Sequence, residues 1–262
     1  MIWMEKLIKN MLSLEKKTAV ITGGSSGIGA ATALLFARLG ANIIILDINK
    51  DQGEKTAAQI RENGLKARFM ACDVTCEADC MKIARNLESE FQHLDILFNN
   101  AGVIVRKSVT HLQEAEWDAV IDVSLKGAFL LSKHLIPLMK EKGGAIVNTG
   151  SGWSLKAGDN AAAYCAAKAG VLNLTRSMAI DYGKYNIRVN CVCPGDTDTD
   201  LLRSEARQLG EDETKFLQDA SDRPLGRMGT PNDIALSVLF LVSPMSAWVS
   251  GTSLLVDGGG MA

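Results

Sequence analysis

Short, uninterrupted apolar runs separated by helical stretches constrain this chain more than any other feature. The runs span residues 18–21, 42–46, 94–98, 145–148, 187–192 and 253–256, with a weaker one at 67–70. Their hydrophobicity is continuous rather than alternating, as a strand covered on both faces of a parallel sheet requires. Helical patterns fill the gaps at 30–39, 52–63, 77–91, 116–140, 161–182 and 232–241. Gly40, Gly64 and Gly183 follow three of them and suit left-handed C-caps. This alternation predicts an α/β fold, a single doubly wound parallel sheet with helices on both faces. One domain over 15–262 accommodates all of it, leaving 1–14 as an N-terminal extension.

Composition excludes several classes. A net charge of −2 with Lys and Arg scattered along the chain leaves no footprint for nucleic acid or a membrane surface. No apolar run approaches the ~20 residues that span a bilayer. Residues 1–10 mix charge into their apolar positions and lack a signal-peptide core. They read either as a short amphipathic helix or as an upstream start, because Met11 would open the domain equally well. The six cysteines at 72, 76, 80, 165, 191 and 193 have no histidine companions at metal spacing. They read as small core hydrophobes in a cytoplasmic protein, with no metal expected.

In such sheets ligands bind at the carboxyl ends of the strands. The first strand runs into Thr22-Gly-Gly-Ser-Ser-Gly-Ile-Gly29, and a helix follows at once. Glycines there let the backbone approach a pyrophosphate, and the helix N-terminus supplies partial positive charge. Gly23, Ser25, Ser26, Gly27, Ile28 and Gly29 are therefore candidate cofactor contacts. Asp47 ends the second strand, where a carboxylate accepts both adenosine ribose hydroxyls and repels a 2′-phosphate. No Arg or Lys occupies Ser25, Ser26 or Ile48. The expected cofactor is thus NAD, with NADP less favoured. Asp73 and Val74 after the third strand, and Asn100, Ala101 and Gly102 after the fourth, are further candidates. Asp73 is placed to bond the adenine amino group, although each of these residues alone equally suits turn chemistry.

Tyr164 and Lys168 lie four residues apart in a stretch otherwise nearly devoid of functional groups. One helical turn separates them, so both project from the same face. An ammonium within ~4–6 Å of a phenol favours the phenolate. That pairing suits an acid–base group working near neutral pH.

Taken together, these residues make the chain resemble the classical short-chain dehydrogenases/reductases, a family with a Rossmann-like fold. The resemblance runs from about Lys17 to the C-terminus. It rests on the glycine turn, Asp73-Val74, Asn99-Asn-Ala-Gly102, Ser151 thirteen residues before Tyr164, Tyr164-x3-Lys168, and Pro194-Gly195 with Thr199. It implies hydride transfer between nicotinamide and an alcohol carbon, with Tyr164 as general acid–base. Lys168 would lower the tyrosine pKa and hold the nicotinamide ribose, and Ser151 would bond the substrate oxygen. Pro194, Gly195, Thr197 and Thr199 match positions near the nicotinamide. Ser124 departs from the pattern: the family usually has an asparagine there, holding a water that links the lysine to solvent. A serine implies a modified proton path.

The segment 199–223 reads as a lid over the substrate, with Ile104, Arg106, Trp153, Lys156, Asn160, Arg203 and Arg207 as candidate contacts beside Ser151 and Tyr164. Those cations raise the option of a polar or anionic substrate. The family implies a homotetramer. The resulting expectation is an NAD-dependent oxidoreductase acting on a secondary alcohol or ketone of polyol, sugar-like or cyclic type. Its rivals are an NADP-linked 3-oxoacyl-thioester (acyl carrier protein) reductase and a catalytically silent nucleotide-sensing protein. The missing cation near Asp47 counts against the first, and only Ser124 favours the second.

Overall fold

The computed structural model describes residues 11–262. The reading of 1–10 as helix or upstream start falls outside the described residues. Seven parallel strands form one sheet: β1 (Thr18–Thr22), β2 (Asn42–Asp47), β3 (Ala67–Ala71), β4 (Ile96–Asn99), β5 (Gly144–Thr149), β6 (Ile187–Pro194) and β7 (Ser253–Val256). Their order is β3-β2-β1-β4-β5-β6-β7. Every predicted run is a strand, including the weak third one. β4 starts at Ile96, two residues later than expected: the Leu94 N–H donates to Leu138 O (3.2 Å), outside the sheet, and the Asp95 carboxylate accepts from Lys17 Nζ (2.7 Å) and the Thr18 N–H (2.9 Å).

Both faces of the sheet are covered, as the continuous hydrophobicity requires. Ala19, Ile21, Ile43, Ile45, Phe98 and Val147 face α1 (Gly27–Arg38) and α9 (Pro231–Val242), meeting Phe36, Ile234 and Val238. Val20, Ile44, Leu46, Leu97, Ile146 and Val189 face the other way. They meet Ile83 and Leu87 of α3 (Glu77–Phe91), Leu131 and Leu135 of α5 (Gly127–Leu135), and Met178 of α6 (Ala162–Tyr182). Alternate residues of one strand thus serve opposite layers. α2 (Lys50–Glu62) joins β2 to β3. Leu14 is buried in the first layer, and its N–H donates to Leu39 O at 2.8 Å.

Three local features differ from the sequence expectation. The long helix expected over 116–140 is α4 (Glu114–Ile121), a π-helical turn (Asp122–Lys126), α5, and a 3-10 turn (Ile136–Met139). Pro137 lacks the N–H that would continue the helical ladder, so α5 stops before it. Gly40 and Gly64 are left-handed, at φ +97° and +73°, whereas Gly183 is right-handed at −55°. A 3-10 turn prolongs α6 at Gly183, and Asn186 takes the left-handed position at φ 56°. Finally, the segment read as a lid folds into α7 (Asp200–Leu209) and α8 (Glu213–Ser221). Thr199 Oγ1 caps α7 by accepting from Leu202 N, and Asp212 Oδ1 caps α8 by accepting from Lys215 N at 2.9 Å. Among the described residues no helix is long and apolar enough to cross a membrane.

Candidate active site

β1 lies between β2 and β4, where the chain reverses its direction of winding across the sheet. The crevice of such a sheet opens there, at the carboxyl ends of the strands. A cavity of about 640 Å³ occupies it.

The glycine turn forms one end. Gly23 and Gly27 are left-handed, at φ +58° and +50°. A Cβ on Gly29 would stand 2.1 Å from the Gly23 carbonyl oxygen, so only glycine allows α1 to start this close to β1. Ser26 precedes α1 without a side-chain cap, which leaves the helix's first N–H groups facing the cavity end. The turn is braced from β4. Thr22 Oγ1 accepts from the N–H groups of Asn100 and Ala101, both at 2.9 Å, and the Asn100 amide donates to Thr22 O and Gly23 O at 3.1 and 3.2 Å. Asn100 lines the cavity, and its side chain also holds the turn. Asp47 accepts from the Ser25 hydroxyl at 2.5 Å and the Ser25 N–H at 3.2 Å. Asp73 lines the cavity, but its Oδ1 accepts from Thr75 N (2.9 Å) and Thr75 Oγ1 (2.7 Å), the turn chemistry that the sequence left open.

Tyr164, Lys168 and Ser151 meet at the other end. Lys168 Nζ stands 5.5 Å from the Tyr164 ring centroid and donates to Thr149 O at 2.7 Å. Ser151 Oγ accepts the Trp153 N–H at 3.1 Å, and the Trp153 and Tyr164 rings meet edge-on at 5.9 Å. The electrostatics differ from the sequence reading. Burial pushes the Tyr164 phenol above the ordinary tyrosine range, and the Glu205 carboxylate adds to that shift, while the Ser151 hydroxyl opposes it. Lys168, rather than depressing the phenol, is itself lowered by burial to about 8. Ser124 lies in the π-helical turn with its hydroxyl accepting from Val103 N at 3.4 Å. A Cβ on Gly102 would meet both Lys168 Nζ (3.3 Å) and Ser124 Oγ (3.5 Å), so the missing side chain leaves space beside these two groups.

The remaining candidates divide sharply. Ile28, Ile48, Val74, Ala101, Pro194, Gly195, Thr197, Thr199, Trp153 and Lys156 line the cavity. Asn160 does not: it is exposed, left-handed at φ 45°, and bonded to Asp159. Arg203 and Arg207 point elsewhere, both pairing with Glu213 (3.1 and 3.3 Å) and Arg203 also with Asp198. Ile104 is buried in the fold, and Arg106 lies behind the cavity wall, paired with Glu205 at 2.5 Å. The anionic-substrate option loses these three arginines. Sequence reasoning missed Glu205, which lines the cavity from α7. Its signal would have been a carboxylate beside Leu202 and Ala206 on the buried face of a helix. Among the described residues no group of three or more His, Cys, Asp or Glu is arranged to hold a metal ion. Cys76 is exposed at the start of α3 and is not the core residue expected.

A family model described as enoyl-(acyl carrier protein) reductase matches residues 23–260. The chain belongs to the classical short-chain dehydrogenases/reductases. This short-chain dehydrogenase/reductase is 44% identical over 252 residues to the Bacillus subtilis oxidoreductase YxbG, covering 95% of this chain and 92% of that one. It is 36% identical over 248 residues to the 3-oxoacyl-[acyl-carrier-protein] reductase FabG of Chlamydia muridarum, covering 94% and 98%. It is likewise 36% identical over 249 residues to the NAD-dependent glycerol dehydrogenase of Listeria innocua, covering 94% of each. The solved structure of levodione reductase superposes with a TM-score of 0.89 at 32% identity, covering 93% of this chain and 97% of that one. The protein is an oxidoreductase of a family that uses nicotinamide dinucleotides. The open helix N-terminus, the two left-handed glycines and the carboxylate of Asp47 fit such a group.

Proposed function

We propose that this enzyme is an NAD-dependent dehydrogenase/reductase interconverting a secondary alcohol and a ketone of polyol, sugar-like or cyclic type. One observation carries the reading: a phenol, a hydroxyl and an amine, from Tyr164, Ser151 and Lys168, share one cavity with a glycine turn and Asp47.

The bound nicotinamide supplies hydride chemistry; the chain's own groups handle the proton and the oxygen. Tyr164 takes the alcohol proton in oxidation and returns it in reduction. Ser151 Oγ accepts the Trp153 N–H and keeps its own proton to donate to a substrate oxygen. Lys168 holds its ammonium at Thr149 O with two further protons to donate to the nicotinamide ribose. Ser124 stands on the outlet of that amine as the modified element of its proton path. Gly23, Ser25, Ser26, Gly27, Ile28 and Gly29 hold the pyrophosphate end, and Asp47 with Ile48 the adenosine ribose. Asp73, Val74 and Ala101 flank the adenine side, while Pro194, Gly195, Thr197 and Thr199 flank the nicotinamide side. NAD is favoured over NADP because Asp47 faces the cavity end and no cation stands at Ser25, Ser26 or Ile48. Six free thiols accord with a reducing cytoplasm. Exposed apolar side chains on α5 and α6 (Phe129, Ile180) and near β7 (Trp248) favour a homotetramer.

A panel of secondary alcohols, polyols, sugars and steroids with NAD and NADP tests the reading. Turnover with NAD that falls at least about 100-fold in Tyr164→Phe is the expected result. Activity surviving that change would defeat the mechanism. A strong NADP preference with 3-oxoacyl thioesters would favour the second reading, which the Chlamydia muridarum relative supports.

A further inference from the structure

Glu205 is a buried carboxylate that the proposed chemistry leaves unused. It projects from α7 into the cavity that holds Tyr164, with its residue 9% exposed. Its Oε2 accepts from Arg106 Nη1 at 2.5 Å. Among the described residues no group donates to Oε1. Arg106 is held at several points, although its Nε has no hydrogen-bond partner among the described residues. Its residue is 8% exposed, its Nη2 donates to Asp159 O at 3.3 Å, its guanidinium lies 5.0 Å from the Trp153 ring, and its backbone N–H donates to Gln208 Oε1 at 2.9 Å. Gln208 Nε2 in turn donates to Ile104 O at 3.3 Å. Glu205 is therefore held rigidly, with one oxygen committed and one open to the cavity.

A buried carboxylate needs partners for its lone pairs. Arg106 cancels the charge, so an ammonium group on the substrate gains no ion pair here, and a substrate anion gains no cation. A neutral hydroxyl matches the remaining oxygen: it donates one hydrogen bond and brings no charge. Val103, Leu201, Leu202 and Trp153 give the same cavity apolar lining.

We infer that Glu205 is a specificity-determining residue that accepts a hydrogen bond from a second hydroxyl group of the substrate, so that the enzyme selects diols and polyols over mono-alcohols of the same skeleton. Arg106 is its positioning residue. The inference rests on the alcohol dehydrogenase reading above and deepens it.

Matched pairs test it: propane-1,2-diol against propan-2-ol, and cyclohexane-1,2-diol and cyclohexane-1,3-diol against cyclohexanol. The wild type is expected to favour at least one diol by 10-fold or more in kcat/KM, on the order of one bond to a charged acceptor. Glu205→Leu should lose that preference through KM, read as the diol-to-mono-alcohol ratio because Glu205 also raises the Tyr164 phenol on which both substrates depend. Because that change leaves Arg106 buried without its counter-ion, the double variant Arg106→Met/Glu205→Leu, which replaces the pair by apolar side chains, should give the same loss of selectivity. Dissociation constants of the same pairs from ligand-observed NMR with NAD, in a Tyr164→Phe background where turnover is blocked, supply a readout independent of chemistry. A diol preference unchanged by both variants, or absent from wild-type binding and turnover alike, overturns the inference alone. Absence of turnover for every pair overturns the dehydrogenase reading, while the binding ratios still decide the role of Glu205.

Discussion

Lys168 is where burial and charge conflict most directly. The residue is 3% exposed, among the described residues it pairs with no carboxylate, and burial lowers its amine from 10.5 to about 8. The sign follows from proton linkage. Below pH 8 the folded chain carries a desolvated cation, at a cost of roughly 3 kcal/mol for such a shift. Between pH 8 and 10.5 the unfolded chain still binds a proton that the folded chain has released, so stability from this group rises with pH across that window. Lys168→Met should therefore stabilise the cofactor-free protein at pH 7 by about 2 kcal/mol, once roughly 1 kcal/mol for the lost bond to Thr149 is subtracted. Urea midpoints at pH 7 and pH 10 check this, with the gain shrinking at the higher pH. A gain equal at both would remove burial as the cause. Tyr164 and Lys168 were legible because their spacing puts both groups on one helix face, whereas Ser151 was named through the family resemblance. The partner of Glu205 was not legible, since Arg106 lies 99 residues away and meets it only through the fold.

At the scale of elements, the strands were legible because burial on both faces leaves an unbroken apolar run. The π-helical turn at Asp122–Lys126 left no comparable mark. Its extra residue answers a tertiary demand, with Gly127 seated so close to Val74 that a Cβ would stand 2.7 Å from its Cγ2. α7 was hidden for a related reason: Glu205 interrupts the apolar face formed by Leu202 and Ala206, and reads as polar until its counter-ion is known. α8 depends on its cap. Asp212→Ala removes the acceptor for Lys215 N and should lower stability by about 1 kcal/mol in urea, leaving dinucleotide affinity unchanged. A larger loss, or a change in that affinity, would tie α8 to the cofactor end of the cavity.

For the whole molecule, the doubly wound parallel sheet was foreseeable from alternating strand and helix, whereas its outer surface was not, because apolar residues scattered in sequence become a patch only after folding. Ile180 is 82% and Phe129 47% exposed on α6 and α5 of the same layer, and Trp248 is fully exposed. Substituting Ile180→Glu together with Phe129→Glu is expected to reduce the particle mass seen by light scattering from that of the proposed tetramer, with the far-ultraviolet circular dichroism unchanged. An unaltered mass would exclude α5 and α6 as the interface. The bracing of the glycine turn by Thr22 and Asn100 has a kinetic consequence. On the proposed reading the turn would hold the pyrophosphate and is already braced by bonds internal to the chain, so association would have no loop to freeze and would forfeit little conformational entropy. One dinucleotide can depart and its successor arrive without the receptor being rebuilt between turnovers.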